Sequence, residues 1–213
     1  MNFKNTDGVD IVYSLIEAIQ KNKDVLSEVD GLIGDGDHGV NMNKGFTLCK
    51  TRLDKENVSL SQALNVLGRT LVMDIGGSMG PLYGTLFIEM SKACKEIDLI
   101  DAKVIGDMLN GACNGVLTIG QAKVGDKTLV DVLSPSVEAY NKSIEDGDTL
   151  VQALENLKKA AENGMKSTID MIAKIGRASR LGERSRGVQD AGATSCNILL
   201  QSFASSIIDK VKE

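Results

Sequence analysis

The stretch Leu60-Ser61-Gln62-Ala63-Leu64-Asn65-Val66-Leu67-Gly68-Arg69-Thr70-Leu71 sets a leucine at i, i+4, i+7 and i+11. That spacing lines one face of an α-helix. The same rhythm returns in Leu133, Val137, Tyr140 and Ile144, and in Leu150, Leu154, Leu157 and Ala161. Cys196, Leu200, Phe203, Ile207 and Val211 repeat it near the C-terminus. Looser apolar stripes occupy residues 8–28, 81–95 and 101–118, and residues 40–53 predict a shorter helix. No stretch alternates with a period of two, so no sheet is expected. The chain reads as all-α, about eight helices in one domain spanning 1–213.

Composition agrees with that architecture. Hydrophobic residues make up 42% of the 213, yet aromatics only 3%, with no Trp. A core built from Leu, Ile, Val, Met and Ala suits helix-on-helix packing, and the chain is long enough to bury a sizeable one. The net charge of −5 argues against nucleic-acid phosphates or anionic membranes as partners. No run of about 18 apolar residues offers a membrane span. Met1–Asp10 is polar and lacks the apolar stretch of a signal peptide, so a cytoplasmic location is expected. The four cysteines (Cys49, Cys94, Cys113, Cys196) form no CxxC pair, and with a single His they make no zinc site. They read as small buried apolar residues in a reducing compartment. Of the two prolines, Pro81 is expected to open the helix at 82–95, and Pro135 to kink a helix or begin one.

The glycines are unevenly spread and crowd into three loops, more than packed helices need for their C-caps. Backbone that dense in glycine can lie close to a ligand. In Asp30-Gly31-Leu32-Ile33-Gly34-Asp35-Gly36-Asp37-His38-Gly39-Val40-Asn41, Asp35 and Asp37 point to one side when extended, and a turn at Gly31–Gly34 returns Asp30 to them. Three carboxylates so packed repel unless a divalent cation joins them, and all-oxygen ligation favours magnesium or calcium. The spacing does not fit an EF-hand, so a magnesium holding a nucleotide is one reading and a solvated, helix-capping acidic turn the other. His38 fits a general base, a metal neighbour, a phosphate contact or a cap.

In Gly76-Gly77-Ser78-Met79-Gly80-Pro81-Leu82-Tyr83-Gly84-Thr85 a glycine turn runs into a helix start, which serves either anion binding or close helix packing. Lys174 to Gly187 holds five cationic residues and one acid in an acidic protein. Its arginines suit phosphate oxygens and its glycines a closing loop, against the alternative of a solvated basic loop. In Gly120 to Asp131, Asp126 is expected to cap a helix.

Together these segments resemble the L subunit of dihydroxyacetone kinases. The resemblance runs through IGDGDHGVNM at 33–42, GGSMGPLYGT at 76–85, GDKTLVDVL at 125–133, GRASRLGERSRG at 176–187 and DAGATS at 190–195. It implies a single antiparallel barrel of eight helices, with ADP or ATP and two magnesium ions bound at one end. On that template Asp30, Asp35 and Asp37 are metal ligands, and His38, Gly39, Val40, Asn41, Ser78, Met79, Gly120 and Leu129 surround the nucleotide. Arg177 is a phosphate contact and catalytic group, and Asp190, Ala191 and Gly192 form a closing loop.

The resemblance also implies partners. A K subunit holds a short ketose through a histidine, and an M subunit carries a phosphohistidine that recharges bound ADP. ATP-using relatives fuse K and L regions into a longer chain, so a 213-residue chain fits the phosphohistidine version better. Some L subunits control a transcription regulator, which makes a nucleotide-dependent binding module the alternative function; a homodimer stays open. The chain departs from the family at Met79, commonly Ser, at Ala191, usually Pro, and at Arg180 and Arg186, more often uncharged.

Overall fold

The computed structural model describes residues 1–53 and 58–212. Among these, nine α-helices follow in order: α1 Val9–Lys21, α2 Lys23–Ile33, α3 His38–Leu53, α4 Leu60–Asp74 and α5 Met79–Cys94, then α6 Ala102–Gly120, α7 Val130–Glu145, α8 Leu150–Ser167 and α9 Ala191–Lys212. Eight of them form a closed ring. α1 packs on α3, each helix from α3 onward packs on the next, and α9 returns to α1. The ninth, α2, lies against α3 and α9 and delivers the chain to the acidic loop. The all-α architecture expected from periodicity forms, closed into the barrel that the resemblance implies.

The Leu60–Leu71 stripe is buried as its spacing requires, with Leu60, Leu64, Leu67 and Leu71 at most 1% exposed. Ser59 starts this helix with a capping box, in which Gln62 N–H donates to its hydroxyl and its own N–H donates to Gln62 Oε1. Thr149 and Gln152 repeat the device on α8. The core is aliphatic, with an edge-to-face aromatic pair among the described residues, Phe46 on Phe87 at 6.0 Å. All four cysteines are free and buried, as their composition suggested.

Four local expectations need correction. The stripe at 8–28 is two helices, because Asn22 leaves helical geometry (φ −101°, ψ 10°) and its side chain donates to Ala18 O, capping α1 while α2 restarts. A two-stranded antiparallel ribbon also exists: β1 Asn2–Lys4 pairs with β2 Leu99–Asp101, setting Phe3 against Ile100. Three residues are too few to display a period. Pro81 does not open α5; that helix begins at Met79, and Pro81 occupies its first turn, where an N–H has no intrahelical acceptor anyway. Of the two outcomes open at Pro135, a helix beginning there does not occur: Pro135 lies inside α7, which begins five residues before it. The Asp131 carbonyl it cannot serve faces Gly164 of α8, where a Cβ would stand 2.3 Å from that oxygen.

α4 and α5 approach closely at Gly68 and Gly84. A Cβ on Gly84 would meet Gly68 O at 2.8 Å and Val72 at 2.3 Å, whereas nothing lies within 4 Å of one on Gly76. Gly84→Ala is expected to cost about 1–3 kcal/mol as an overpacked contact. Gly76→Ala is expected to leave stability within about 0.5 kcal/mol. Urea melts of the two variants check this.

Candidate functional site

A cavity of about 650 Å³ opens at one end of the ring. The first turns of α3, α5, α7 and α9 reach it because alternate helices of an antiparallel ring begin at the same end. Amides at a helix start suit an anion, and several converge here.

The acidic loop forms one wall. Carboxylate oxygens of Asp30, Asp35 and Asp37 all lie within 4.8 Å of one another. Two glycines make this packing possible. Gly36 takes φ +75°, which L side chains rarely adopt, and a Cβ at Gly34 would fall 2.3 Å from Asp30 Oδ1. Three hard oxygen donors in so small a space fit magnesium or calcium better than zinc. Across the mouth, the guanidinium of Arg177 pairs with Asp35, tying the basic loop to the acidic one. Both partners are well exposed, so the pair adds little stability and leaves the arginine free to move.

Of the other residues singled out by sequence, His38, Asn41, Ser78, Met79, Gly120, Leu129, Asp190, Ala191 and Gly192 line the cavity with the aspartates and Arg177. Gly39 and Val40 do not. Gly39 is pressed onto α2, where a Cβ would meet Lys23 O at 2.0 Å, and Val40 is 51% exposed. The glycines of the second loop divide by role: Gly76 and Gly77 face the cavity, while Gly80 and Gly84 let α5 sit close to α4. Ser78 flanks α5 without spending its hydroxyl on a cap. The basic segment is ordered as a 3₁₀ stretch, Arg177–Ser185, bent at Gly182.

His38 is buried, with its Nε2 2.8 Å from Ser195 Oγ. Ser195 Oγ lies 2.6 Å from the Tyr83 hydroxyl, and Tyr83 donates to Gly192 O at 2.9 Å. Burial pulls His38 down to about 4, against the opposing pull of Asp30. It is therefore neutral near pH 7 and cannot serve as a cationic phosphate contact. Tyr83 and Ser195 were not singled out in the sequence. They stand inside the quoted motifs, but their partners lie 112 and 157 residues away.

Asp126 is not the cap of α7. No side chain caps α7, whose N-cap position is Leu129; Asp131, in its first turn, reaches back and accepts from Thr128 N at 2.7 Å and Gly125 N at 2.5 Å, bracing the turn before the helix. Asp126 is buried, accepts from Lys123 N and pairs with Lys174 at 3.5 Å. Asp190 caps α9 by accepting from Ala193 N at 2.8 Å.

Comparison with known proteins follows from this geometry. The DAK2 domain matches residues 32–205. The chain belongs to the DAK2 domain family. This DAK2 chain is 37% identical over 208 residues to the PEP-dependent dihydroxyacetone kinase, ADP-binding subunit DhaL, of Escherichia coli, covering 96% of this chain and 98% of that protein. It is 38% identical over 188 residues to the corresponding subunit of kinase 1 of Listeria innocua, covering 88% and 89%. Among solved structures, the dihydroxyacetone kinase from C. freundii in complex with AMP-PNP and Mg2+ superposes with a TM-score of 0.71 at 20% identity, over 97% of this chain and 35% of that one. That likeness establishes a shared fold. No helix among the described residues is long and apolar enough to cross a membrane.

Desolvation pushes the Asp190 carboxyl up to about 6, against the Ala193 amide and the Lys127 ammonium. An unfolded Asp ionises near 3.9. Between about pH 4 and pH 6 the folded protein keeps a proton that the unfolded chain has lost, so this group's stabilising contribution is present below that window and fades as pH rises through it. Asp190→Asn, an equally good cap, is expected to gain about 1 kcal/mol on the native protein from pH 4 to pH 6.5, after discounting for solvent in the cavity. Urea melts at both pH values measure it.

Proposed function

We propose that residues 1–213 form one nucleotide-binding unit, the magnesium- and ADP-binding subunit of a dihydroxyacetone-kinase-type phosphotransferase acting in the cytoplasm. The observation that carries this reading is the facing of three clustered carboxylates by one arginine across a cavity of nucleotide size. Similarity along 98% of a DhaL subunit supports the same assignment.

Asp30, Asp35 and Asp37 would hold the metal, two ions by resemblance, which when bound offsets the charge of the phosphates. The first turns of α3 and α5, with the Ser78 hydroxyl, offer donors to phosphate oxygens. Met79 and Leu129 supply apolar wall for the base, and Asp190, Ala191 and Gly192 border the cavity beside Leu129. Arg177 leaves Asp35 and meets the phosphoryl group as charge develops on it.

The ketose itself fits a partner. The chain's single histidine has its Nε2 turned inward to Ser195, which leaves it badly placed to hold a substrate. A K subunit holding the ketose and a phosphohistidine-bearing M subunit recharging ADP complete the reading, so this chain is active only with them. Its relatives are named as PEP-dependent, which favours recharged ADP over exchangeable ATP.

The direct test is to denature the freshly purified protein and identify the nucleotide released. Near-stoichiometric ADP is expected; a protein that neither carries nor binds nucleotide with magnesium overturns the reading. Asp35→Ala is expected to weaken Mg·ADP binding at least about 100-fold in calorimetry while leaving helix content unchanged, since Asp35 is exposed. Arg177→Ala is expected to slow phosphoryl transfer about 10²–10³-fold. The same variant keeps or raises affinity for magnesium alone, because the guanidinium no longer competes for Asp35; titration with Mn2+ reports that arm.

A further inference from the structure

Lys127 has no role in the chemistry above, yet it is 1% exposed and takes a left-handed φ of 63°. Such a backbone is uncommon for a residue with a side chain. Its ammonium lies 2.7 Å from Thr168 O, 3.2 Å from Met171 O, 2.7 Å from Ser185 O and 2.6 Å from Val188 O. A buried ammonium is costly unless its donors are satisfied, and three N–H groups shared among four carbonyls satisfy them.

The positions of those carbonyls matter more than their number. Thr168 and Met171 stand where the chain enters the loop that carries Arg177; Ser185 and Val188 stand where it leaves. One side chain thus closes the neck of that loop. Two further bonds cross the neck, Gly187 N to Ile169 O at 2.7 Å and Ala173 N to Ser185 Oγ at 2.9 Å. Next to Lys127, the Asp126 carbonyl accepts from Lys174 N at 3.2 Å and the Asp126 carboxylate pairs with Lys174 Nζ. Thr168 passes the connection onward, its hydroxyl accepting from Asp190 N at 3.1 Å. Lys127 itself borders the cavity, and Thr128 and Leu129 after it line the cavity too.

We infer that Lys127 is a positioning residue, whose ammonium clasps both stems of the 171–188 loop so that Arg177 is held over the aspartates and the loop moves in step with the nucleotide-facing residues 128 and 129. This deepens the nucleotide reading and rests on it. A base held rigidly at the neck lets an exposed tip reach the same point each time, which is what a transferring phosphoryl group requires of an arginine.

The experiment uses the full chain as Lys127→Met, which keeps the stem and removes the donors, beside Lys127→Arg, which returns them. Native-state trypsin cleavage, followed by mass spectrometry, reads the loop through Arg177, Arg180, Arg184 and Arg186. Calorimetry reads Mg·ADP affinity. In the Met variant, cleavage within 177–186 is expected to accelerate at least about tenfold and affinity to fall about tenfold or more, with helix content retained and the Arg variant recovering part of both. Unchanged cleavage and affinity overturn the inference, as does cleavage that rises equally at lysines and arginines throughout the chain, which marks general destabilisation.

If the Met variant does not fold, hydrogen exchange on the wild type decides. The Ala173 and Gly187 amides must exchange at least about tenfold more slowly than exposed loop amides, and exchange at free-peptide rates overturns the clasp. If the wild type binds no Mg·ADP, the functional reading fails, while the cleavage result still judges the clasp.

Discussion

Three carboxylates whose oxygens lie within 4.8 Å of each other repel strongly, and the end of the barrel is organised around that repulsion. The acidic loop cannot relax by spreading. Asp30 ends near the last turn of α2 and is bound to the start of α3 through His38 N, and Gly34 and Gly36 leave the chain a tight path between them. Compensation must come from a cation. Within the chain, Arg177 supplies one positive charge to Asp35. A divalent ion and its phosphate ligands would do so more fully, at which point the arginine becomes free for the phosphates. The same electrostatic demand thus links the acidic wall to the exposed arginine across the mouth.

That arrangement works only if the arginine is mobile at its tip and fixed at its base. The tip is exposed, and its partner is a screened surface carboxylate. The base is a set of buried bonds gathered by Lys127 between residues 168 and 188. The cavity lining is also stiffened by the run from His38 through Ser195 and Tyr83 to Gly192, which joins the starts of α3 and α9 to α5. Burial keeps His38 neutral and Tyr83 protonated, so near neutral pH this run adds no charge beside the aspartates.

Much of this was legible in the sequence. The leucine rhythm at 60–71 and its repeats gave the ring its members, because a helix buries one face whatever neighbour it finds. The glycine-spaced aspartates gave the acidic wall, since three acids that close in a chain can hardly avoid each other. The legible part ended where the outcome depended on neighbours. Asn22 divides one continuous apolar stripe into two helices, and nothing in the stripe's period marks that break. Gly39 and Val40 belong to the quoted motif yet face α2 and solvent, because the first turn of α3 presents only part of its circumference to the cavity. Asp126, a reasonable cap on local grounds, instead accepts from Lys123 N and pairs with Lys174, because the left-handed turn at Lys127 sets it apart from the start of α7.

By itself, then, the sequence determined the helices, the aliphatic core and the chemical character of each loop, all properties of contiguous residues acting over a turn or two. Tertiary structure alone decided that α9 closes on α1, that Gly76 faces the cavity while Gly84 packs on α4, and that His38 meets Ser195 across 157 positions. It also chose the four carbonyls that receive the Lys127 ammonium. No local rule could name them, because a backbone carbonyl looks the same at every residue and only the path of the folded chain selects which ones a buried charge will find.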